Sequence, residues 1–163
     1  MKLTTRGRYA AAAMADITAF SKSAPIALGE IARRQGISVS YLEQLFRKLK
    51  SAGLVKSARG VGGGYMLARP PADIRIAEIV AAVDEPITTT ACKPGSSRGC
   101  QGLSARCLTH DLWDELGRQI SIFLNAVTLA DVIERRVLGM AAVNAPHTAD
   151  SDARIPETAE VVS

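Results

Sequence analysis

Residues 28–68 limit the folds open to this chain more than any other stretch. LGEIARRQ predicts a short helix with Leu28, Ile31 and Ala32 facing inward and Gly36 as its stop. The run SVSYLEQLFRKLKSAG predicts a second helix, capped by Ser38 or Ser40, ended by Gly53 and apolar along Leu42, Leu45, Phe46 and Leu49. Two strand-like pieces follow at once, Leu54 to Ala58 and Tyr65 to Ala68, joined by a turn containing Gly60, Gly62, Gly63 and Gly64. A short helix, a glycine turn and an amphipathic helix with a polar start form a helix-turn-helix, and a hairpin behind the second helix forms the wing of a winged helix. The fold class is therefore mainly α with a small β-hairpin: a winged helix-turn-helix domain, to which a long dimerisation helix is added further on.

The second helix would carry Ser38, Ser40, Tyr41, Glu43, Gln44, Arg47 and Lys48 near its start and on its outer surface. These side chains can hydrogen-bond base edges and phosphates, although most solvated helix faces look similar. The hairpin strengthens the nucleic-acid reading, because it sets Arg59 at the tip of the wing. Its glycines do not form a nucleotide loop: the spacing is not G-x-G-x-x-G, no GK[ST] follows, and a strand comes next. They let the turn lie against a DNA backbone or a narrow groove that a guanidinium can enter.

Charge is divided in the same sense. Residues 1–70 hold 12 Lys/Arg against 3 Asp/Glu, a balance of +9, and residues 71–163 hold 8 against 13, a balance of −5, which together return the net +4. A basic body joined to an acidic one fits a protein that presents one part to a polyanion, here double-stranded DNA. Ahead of the basic pair of helices, TTRGRYAAAAMADITAF predicts a helix starting near Thr4 or Thr5, with Tyr9, Ala12, Ala13, Ile17 and Phe20 as its buried stripe. Arg6 and Arg8 oppose the helix dipole in its first turn; a nearby phosphate or simple solvation would each account for them.

Beyond Pro70 and Pro71, RIAEIVAAVDE predicts a helix packing Ile76, Ile79, Val80 and Val83 on the winged body, ended by Pro86. The chain's three cysteines and one of its two histidines then cluster as Cys92, Cys100, Cys107 and His110, spaced C-x7-C-x6-C-x2-H within Gly- and Ser-rich sequence. Three thiolates and an imidazole suit structural zinc or an iron-sulfur cluster; unrelated free thiols are the plain alternative. An odd number of cysteines rules out a complete internal disulfide framework. With no leader-like start and no apolar run of membrane-spanning length, a cytoplasmic location and no membrane partner are expected. Cys107 as nucleophile with His110 as base is the enzyme reading, but no oxyanion hole, orienting acid or pocket can be read nearby.

The longest helix follows in CLTHDLWDELGRQISIFLNAV, where Leu108, Leu112, Leu116 and Ile120 recur every four residues and Trp113, Phe123, Leu124 and Val127 widen the stripe. That is more apolar surface than a small body can cover, and a symmetric homodimer is its expected use, against the alternative of an ordinary core helix. TLADVIERR predicts a short helix capped by Thr128. The expected organisation is a winged helix-turn-helix domain over 1–84, a cluster-binding loop over 85–107, dimerisation and terminal helices over 108–136, and a disordered tail over 137–163, where His147 is solvent-exposed.

Six segments in order, LTTRGRYA, ISVSYLEQLF, RGVGGGY, VDEPI, CLTH and FLNAVTLADV, closely resemble the IscR family of winged-helix iron-sulfur transcription regulators over residues 1–136. The resemblance implies a non-enzymatic, dimeric, DNA-binding repressor or activator that controls iron-sulfur cluster biogenesis, with the cluster-assembly machinery as a candidate partner. It implies a [2Fe-2S] cluster on Cys92, Cys100, Cys107 and His110; relatives that sense nitric oxide or iron carry a [4Fe-4S] cluster on three cysteines. The cysteine intervals are somewhat longer here than in that pattern, with Pro94 and Ser96 to Arg98 enlarging the first, while CLTH favours the histidine-ligated form. The family's DNA readers map to Ser38, Ser40, Tyr41, Glu43, Gln44 and Arg59. Chemistry agrees: Gln44 can donate to and accept from adenine, Glu43 can accept from cytosine N4 while repelling phosphates, and Arg59 suits a narrow minor groove.

Overall fold

A computed structural model describes residues 5–21, 24–84 and 108–137. The expectations for 85–107, with Cys92, Cys100 and Cys107, and for 138–163 lie outside the described residues, as does Thr4 as a helix cap. The described elements run α1 (Thr5–Phe20), α2 (Leu28–Gln35), α3 (Val39–Ser51), β1 (Val55–Ala58), β2 (Gly64–Leu67), α4 (Ile76–Ala82), α5 (His110–Ala126) and α6 (Leu129–Ile133), with a 3-10 turn at Pro71–Asp73.

Helix α1 is the central post, and α2, α3, α4, α6 and β2 all pack around it. Its close packing rests on small residues, since Gly7, Ala10 and Ala13 are buried beside Met14 and Ile17. The expected stripe is turned here: Ile17 and Ala13 face inward, but Tyr9 is 38% and Phe20 57% exposed. Phe20 instead lies under the Arg34 guanidinium, 4.5 Å from the ring centroid. The buried face of α1 also carries a carboxylate, Asp16, which accepts from Arg34 Nη2 at 2.6 Å and from Gln35 Nε2 at 2.8 Å. A buried carboxylate needs such partners, and this one ties α1 to the end of α2.

Helix α2 ends in a left-handed Gly36 whose N–H returns to Ala32 O. Helix α3 starts on Ser38, whose side chain accepts from the N–H of Tyr41. Its buried face is Leu42, Leu45, Phe46 and Leu49, as the 3.6-residue period requires. The two antiparallel strands pair Val55 with Leu67 through Ala58 with Gly64. A bridge between Ile26 and Tyr65 adds the entry of α2 as a short third edge.

Helix α4 buries Ile76, Ile79 and Val80, with Val83 just beyond it. Behind the long helix, residues 127–129 run beside 74–76, with Ile76 N–H donating to Val127 O at 3.0 Å and Leu129 N–H to Ile74 O at 2.8 Å. Thr128 caps α6, accepting from Asp131 N–H, while the Asp131 carboxylate accepts from the Thr128 N–H. Helix α5 is thereby anchored to the body at its C-terminal end, where Phe123 and Leu124 meet the core. Around its start apolar side chains are exposed: Leu108, two residues before the helix, is 105%, and Leu112 63%, Trp113 45% and Leu116 38% exposed within it.

Candidate nucleic-acid interface

The two faces of α3 divide by chemistry. Opposite the buried leucines and Phe46, the side chains of Ser38, Ser40, Glu43, Gln44 and Arg47 are exposed, and Tyr41 is half-buried at the edge. The N-terminal half of the helix therefore presents hydroxyl, carboxamide, carboxylate and guanidinium groups over two turns, the donor and acceptor set that base edges require. Tyr41 is oriented by Tyr9 of α1, whose ring meets it edge-on at 6.0 Å between centroids. That contact explains why Tyr9 stays at the surface.

The wing is fixed relative to α3 by its base. Phe46, fully buried on α3, packs edge-on against Tyr65 of β2 with centroids 4.8 Å apart. Tyr65 in turn exchanges hydrogen bonds with Ile26: Ile26 N–H to Tyr65 O at 2.9 Å and Tyr65 N–H to Ile26 O at 2.8 Å. Lys50 Nζ donates to Ser57 Oγ at 2.7 Å, tying the end of α3 to β1. Arg59 leaves the end of β1 exposed and leads into a turn closed by Gly63 N–H on Gly60 O at 2.9 Å. Gly60 and Gly62 take φ of 99° and 76°, and Val61 between them is fully exposed at the tip. The pattern of glycines sets Arg59 at the tip; in the structure the tip is Val61, with Arg59 directly after β1, where the turn begins.

Two ion pairs involve α4 and its end. Lys48, one turn beyond Gln44, pairs with Asp84 at the end of α4; the spacing within α3 gave no sign of that partner 36 residues away. On α4 itself Glu78 accepts from Arg75 N–H and Arg69 Nη2, both at 2.9 Å. The Arg75 N–H bond first, and then Arg69, hold its carboxyl below the ordinary value.

Of the four soft ligands, Cys92, Cys100 and Cys107 lie outside the described residues, and His110 is the half-buried first residue of α5. Among the described residues no three His, Cys, Asp or Glu side chains gather into a metal-binding group. Nor is any described helix long and apolar enough to cross a membrane.

Residues 3–135 match the Rrf2 family, described as iron-dependent transcriptional regulators. The chain belongs to the Rrf2 family. Its relatives include the HTH-type transcriptional regulator IscR of Vibrio atlanticus (strain LGP32), 51% identical over 134 residues that span 82% of this chain and 76% of the relative. The IscR of Serratia proteamaculans (strain 568) is 48% identical over 136 residues, 83% of this chain and 81% of that one. Among solved structures, T. potens IscR superposes with a TM-score of 0.66 at 35% identity, covering 83% of this chain and 88% of that one. The B. subtilis global cysteine regulator CymR gives 0.68 at 30% identity over 83% and 98%. This Rrf2 protein is an IscR-type, DNA-binding transcriptional regulator with a winged-helix fold, and it is not an enzyme; the pairing of Cys107 with His110 as nucleophile and base is set aside.

Proposed function

We propose that this Rrf2 regulator is a homodimer that reads operator DNA with α3 and the wing and senses iron-sulfur status through a cluster on Cys92, Cys100, Cys107 and His110. The observation that carries the DNA-reading part is the segregation of α3, which buries Leu42, Leu45, Phe46 and Leu49 while Ser38, Ser40, Glu43 and Gln44 stand exposed. With Tyr41 at the edge and Arg59 on the wing, these are the proposed contacts. Phosphate and minor-groove contacts set register, and Glu43 and Gln44 select bases.

Three thiolates and one imidazole fit an iron-sulfur cluster, and the description of the family as iron-dependent supports iron as the metal. His110 opens α5, three residues after Cys107, so the two are one helical turn apart in sequence. A helix start favours the negative charge of a thiolate-rich group. The proposed cluster is [2Fe-2S] with His110 as fourth ligand; a [4Fe-4S] cluster on the three cysteines is the second form. Its chemistry is occupancy and redox state that respond to iron, oxidant or nitric oxide. In sequence Cys92 follows α4 and Cys107 precedes α5, which His110 opens, so a cluster on these residues would tie the DNA-reading body to the long helix. The apolar stripe of Leu108, Leu112, Trp113 and Leu116 supports α5 as the dimer contact. The proposed domains are 1–84 for DNA, 85–107 for the cluster, 108–136 for dimerisation and 137–163 as a tail. We place the protein in the cytoplasm, acting on genes of cluster biogenesis and served by the assembly machinery.

The absorption and Mössbauer spectra of anaerobically purified protein test the ligand assignment. A [2Fe-2S] signature lost in Cys92→Ala and altered in His110→Ala is expected. Colourless protein with one zinc per chain would refute it.

A further inference from the structure

Ser40, Gln44 and Lys48 stand four residues apart on α3 and form one ridge of its outer surface. The side chain that follows these two proposed DNA contacts is thus an ammonium, at the place where a recognition helix leaves the groove and passes the phosphate backbone. Lys48 Nζ donates to Asp84 Oδ2 at 2.5 Å. Lys48 keeps 38% and Asp84 73% of its side chain exposed, so both remain within reach of a third charged group.

Asp84 departs from two local preferences at once. It stands at the C-terminal end of α4, where a carboxylate opposes the helix dipole. It also takes a left-handed φ of 55°, which few residues other than glycine adopt and which Asp and Asn tolerate best. Its N–H donates to Ala81 O at 3.1 Å, closing the helix and turning the carboxylate towards α3. The hydrogen bond from Lys48, and then its charge, hold the Asp84 carboxyl below its ordinary value, with Arg6 adding to the positive field. The groups facing Lys48 and Asp84 across this junction therefore belong to three elements, α3, α4 and α1.

An exposed ion pair of this kind contributes little to fold stability, because solvent screens it and two long side chains lose freedom in forming it. Its larger effect is on charge. A lysine already neutralised in the free protein gains less from a phosphate and releases fewer counterions on binding. We propose, on the reading that α3 is the DNA-reading helix, that Asp84 withholds Lys48 from a phosphate contact and so limits the regulator's affinity for DNA. Asp84 is then a positioning residue outside the interface, and Lys48 an added contact available when that carboxylate is neutralised or displaced.

Asp84→Asn tests this in the full-length protein, since Asn keeps the left-handed backbone and the side-chain size while removing the charge. Binding to a nonspecific duplex is followed by fluorescence anisotropy over a series of salt concentrations, for wild type, Asp84→Asn, Lys48→Gln and the double variant. One added phosphate contact steepens the log–log salt slope by about 0.9, equivalent to about eightfold tighter binding per contact at ~0.1 M salt. Asp84→Asn should show that change, Lys48→Gln should stay close to wild type, and the double variant should match Lys48→Gln. Equal tightening by Asp84→Asn in the Lys48→Gln background would overturn the proposal, because removal of any nearby negative charge would then suffice. Weaker binding by Asp84→Asn, with an unchanged melting temperature, would overturn it as well, because the pair would then hold Lys48 in its productive place. Ser40→Ala combined with Gln44→Ala reports separately on α3: unchanged discrimination between duplex sequences would refute α3 as the reader, whatever Asp84 does.

Discussion

Replacing Gly64 by alanine puts a methyl group into backbone that cannot move aside. A Cβ at Gly64 would lie 2.3 Å from Ile26 O, 2.4 Å from Ile26 C and 2.8 Å from Ala27 N. No side-chain rotation relieves these contacts, so β2 must withdraw from the segment before α2. The withdrawal breaks the two hydrogen bonds between Ile26 and Tyr65, each worth ~0.5–1.5 kcal/mol. If the strand holds its place instead, overpacking costs ~1–3 kcal/mol. The two costs are alternatives more than additions, and a loss of about 1–3 kcal/mol follows, or a fall in melting temperature of roughly 2–12 °C for a chain of this size. Gly29→Ala is the matched control: nothing lies within 4 Å of its added Cβ, and it sits in α2, where Ala is preferred to Gly. Thermal and urea unfolding of both variants, followed by DNA binding well below their transitions, form the assay. Gly64→Ala should be destabilised and should bind DNA more weakly even when fully folded, because the wing carrying Arg59 has shifted; Gly29→Ala should match or exceed wild type on both counts. A Gly64→Ala protein as stable as wild type would refute the argument that Ile26 and β2 fix the wing.

Arg59→Ala should weaken DNA binding and flatten the log–log salt slope by about 0.9 for each phosphate that the guanidinium no longer neutralises; an unchanged slope would remove Arg59 from the interface. Glu43→Ala should retain binding but relax discrimination, by ~1–3 kcal/mol at the base it selects against, read from competition between single-base operator variants; an unaltered preference would contradict the role. Acid should loosen the α4 and α6 caps. The carboxyls of Glu78, through the Arg75 N–H, and Asp131, through Thr128, titrate below their ordinary values in the fold. The stability they contribute is therefore complete above the ordinary carboxylate range of roughly pH 4 and is lost as pH falls through their lowered folded values. In Glu78→Gln the acid limb of melting temperature against pH should be shallower than in wild type, and an identical limb would count against the assignment.

Much of the fold is legible because period and punctuation agree. In α3 the positions 42, 45, 46 and 49 alternate sharply with polar neighbours, Ser38 caps and Gly53 stops, and each inward residue is buried. In α1 the run of alanines offers no contrast in size, so the phase cannot be read; Tyr9 and Phe20, expected inside, lie at the surface, and Asp16 is inside. Asp16 can be buried because Arg34 and Gln35, 18 and 19 residues away, meet it, and no local rule announces a partner at that distance. The same holds for Lys48 with Asp84. The four wing glycines look alike in sequence, yet Gly60 and Gly62 serve a left-handed turn while Gly63 and Gly64 are hemmed in by backbone. The exposure of Ser38, Ser40, Glu43 and Gln44 is legible, since polar groups at the start of an amphipathic helix have one exposed side on which to lie. The four-residue recurrence of apolar side chains in the long helix is present as read, and among the described residues Leu112, Trp113 and Leu116 of its N-terminal half are exposed.

If the proposed cluster is a switch, its occupancy and the operator affinity are thermodynamically linked within one protein. That linkage is read by comparing the operator affinity of the anaerobic, cluster-loaded protein with that of the same preparation after the cluster is removed, with Mössbauer spectra certifying each state. Coupling of ~1–3 kcal/mol corresponds to a ratio of about 5- to 150-fold on at least one class of target sequence, and Cys92→Ala should reproduce the cluster-free value. Equal affinities of the two forms on every sequence tested would contradict a cluster-sensing role.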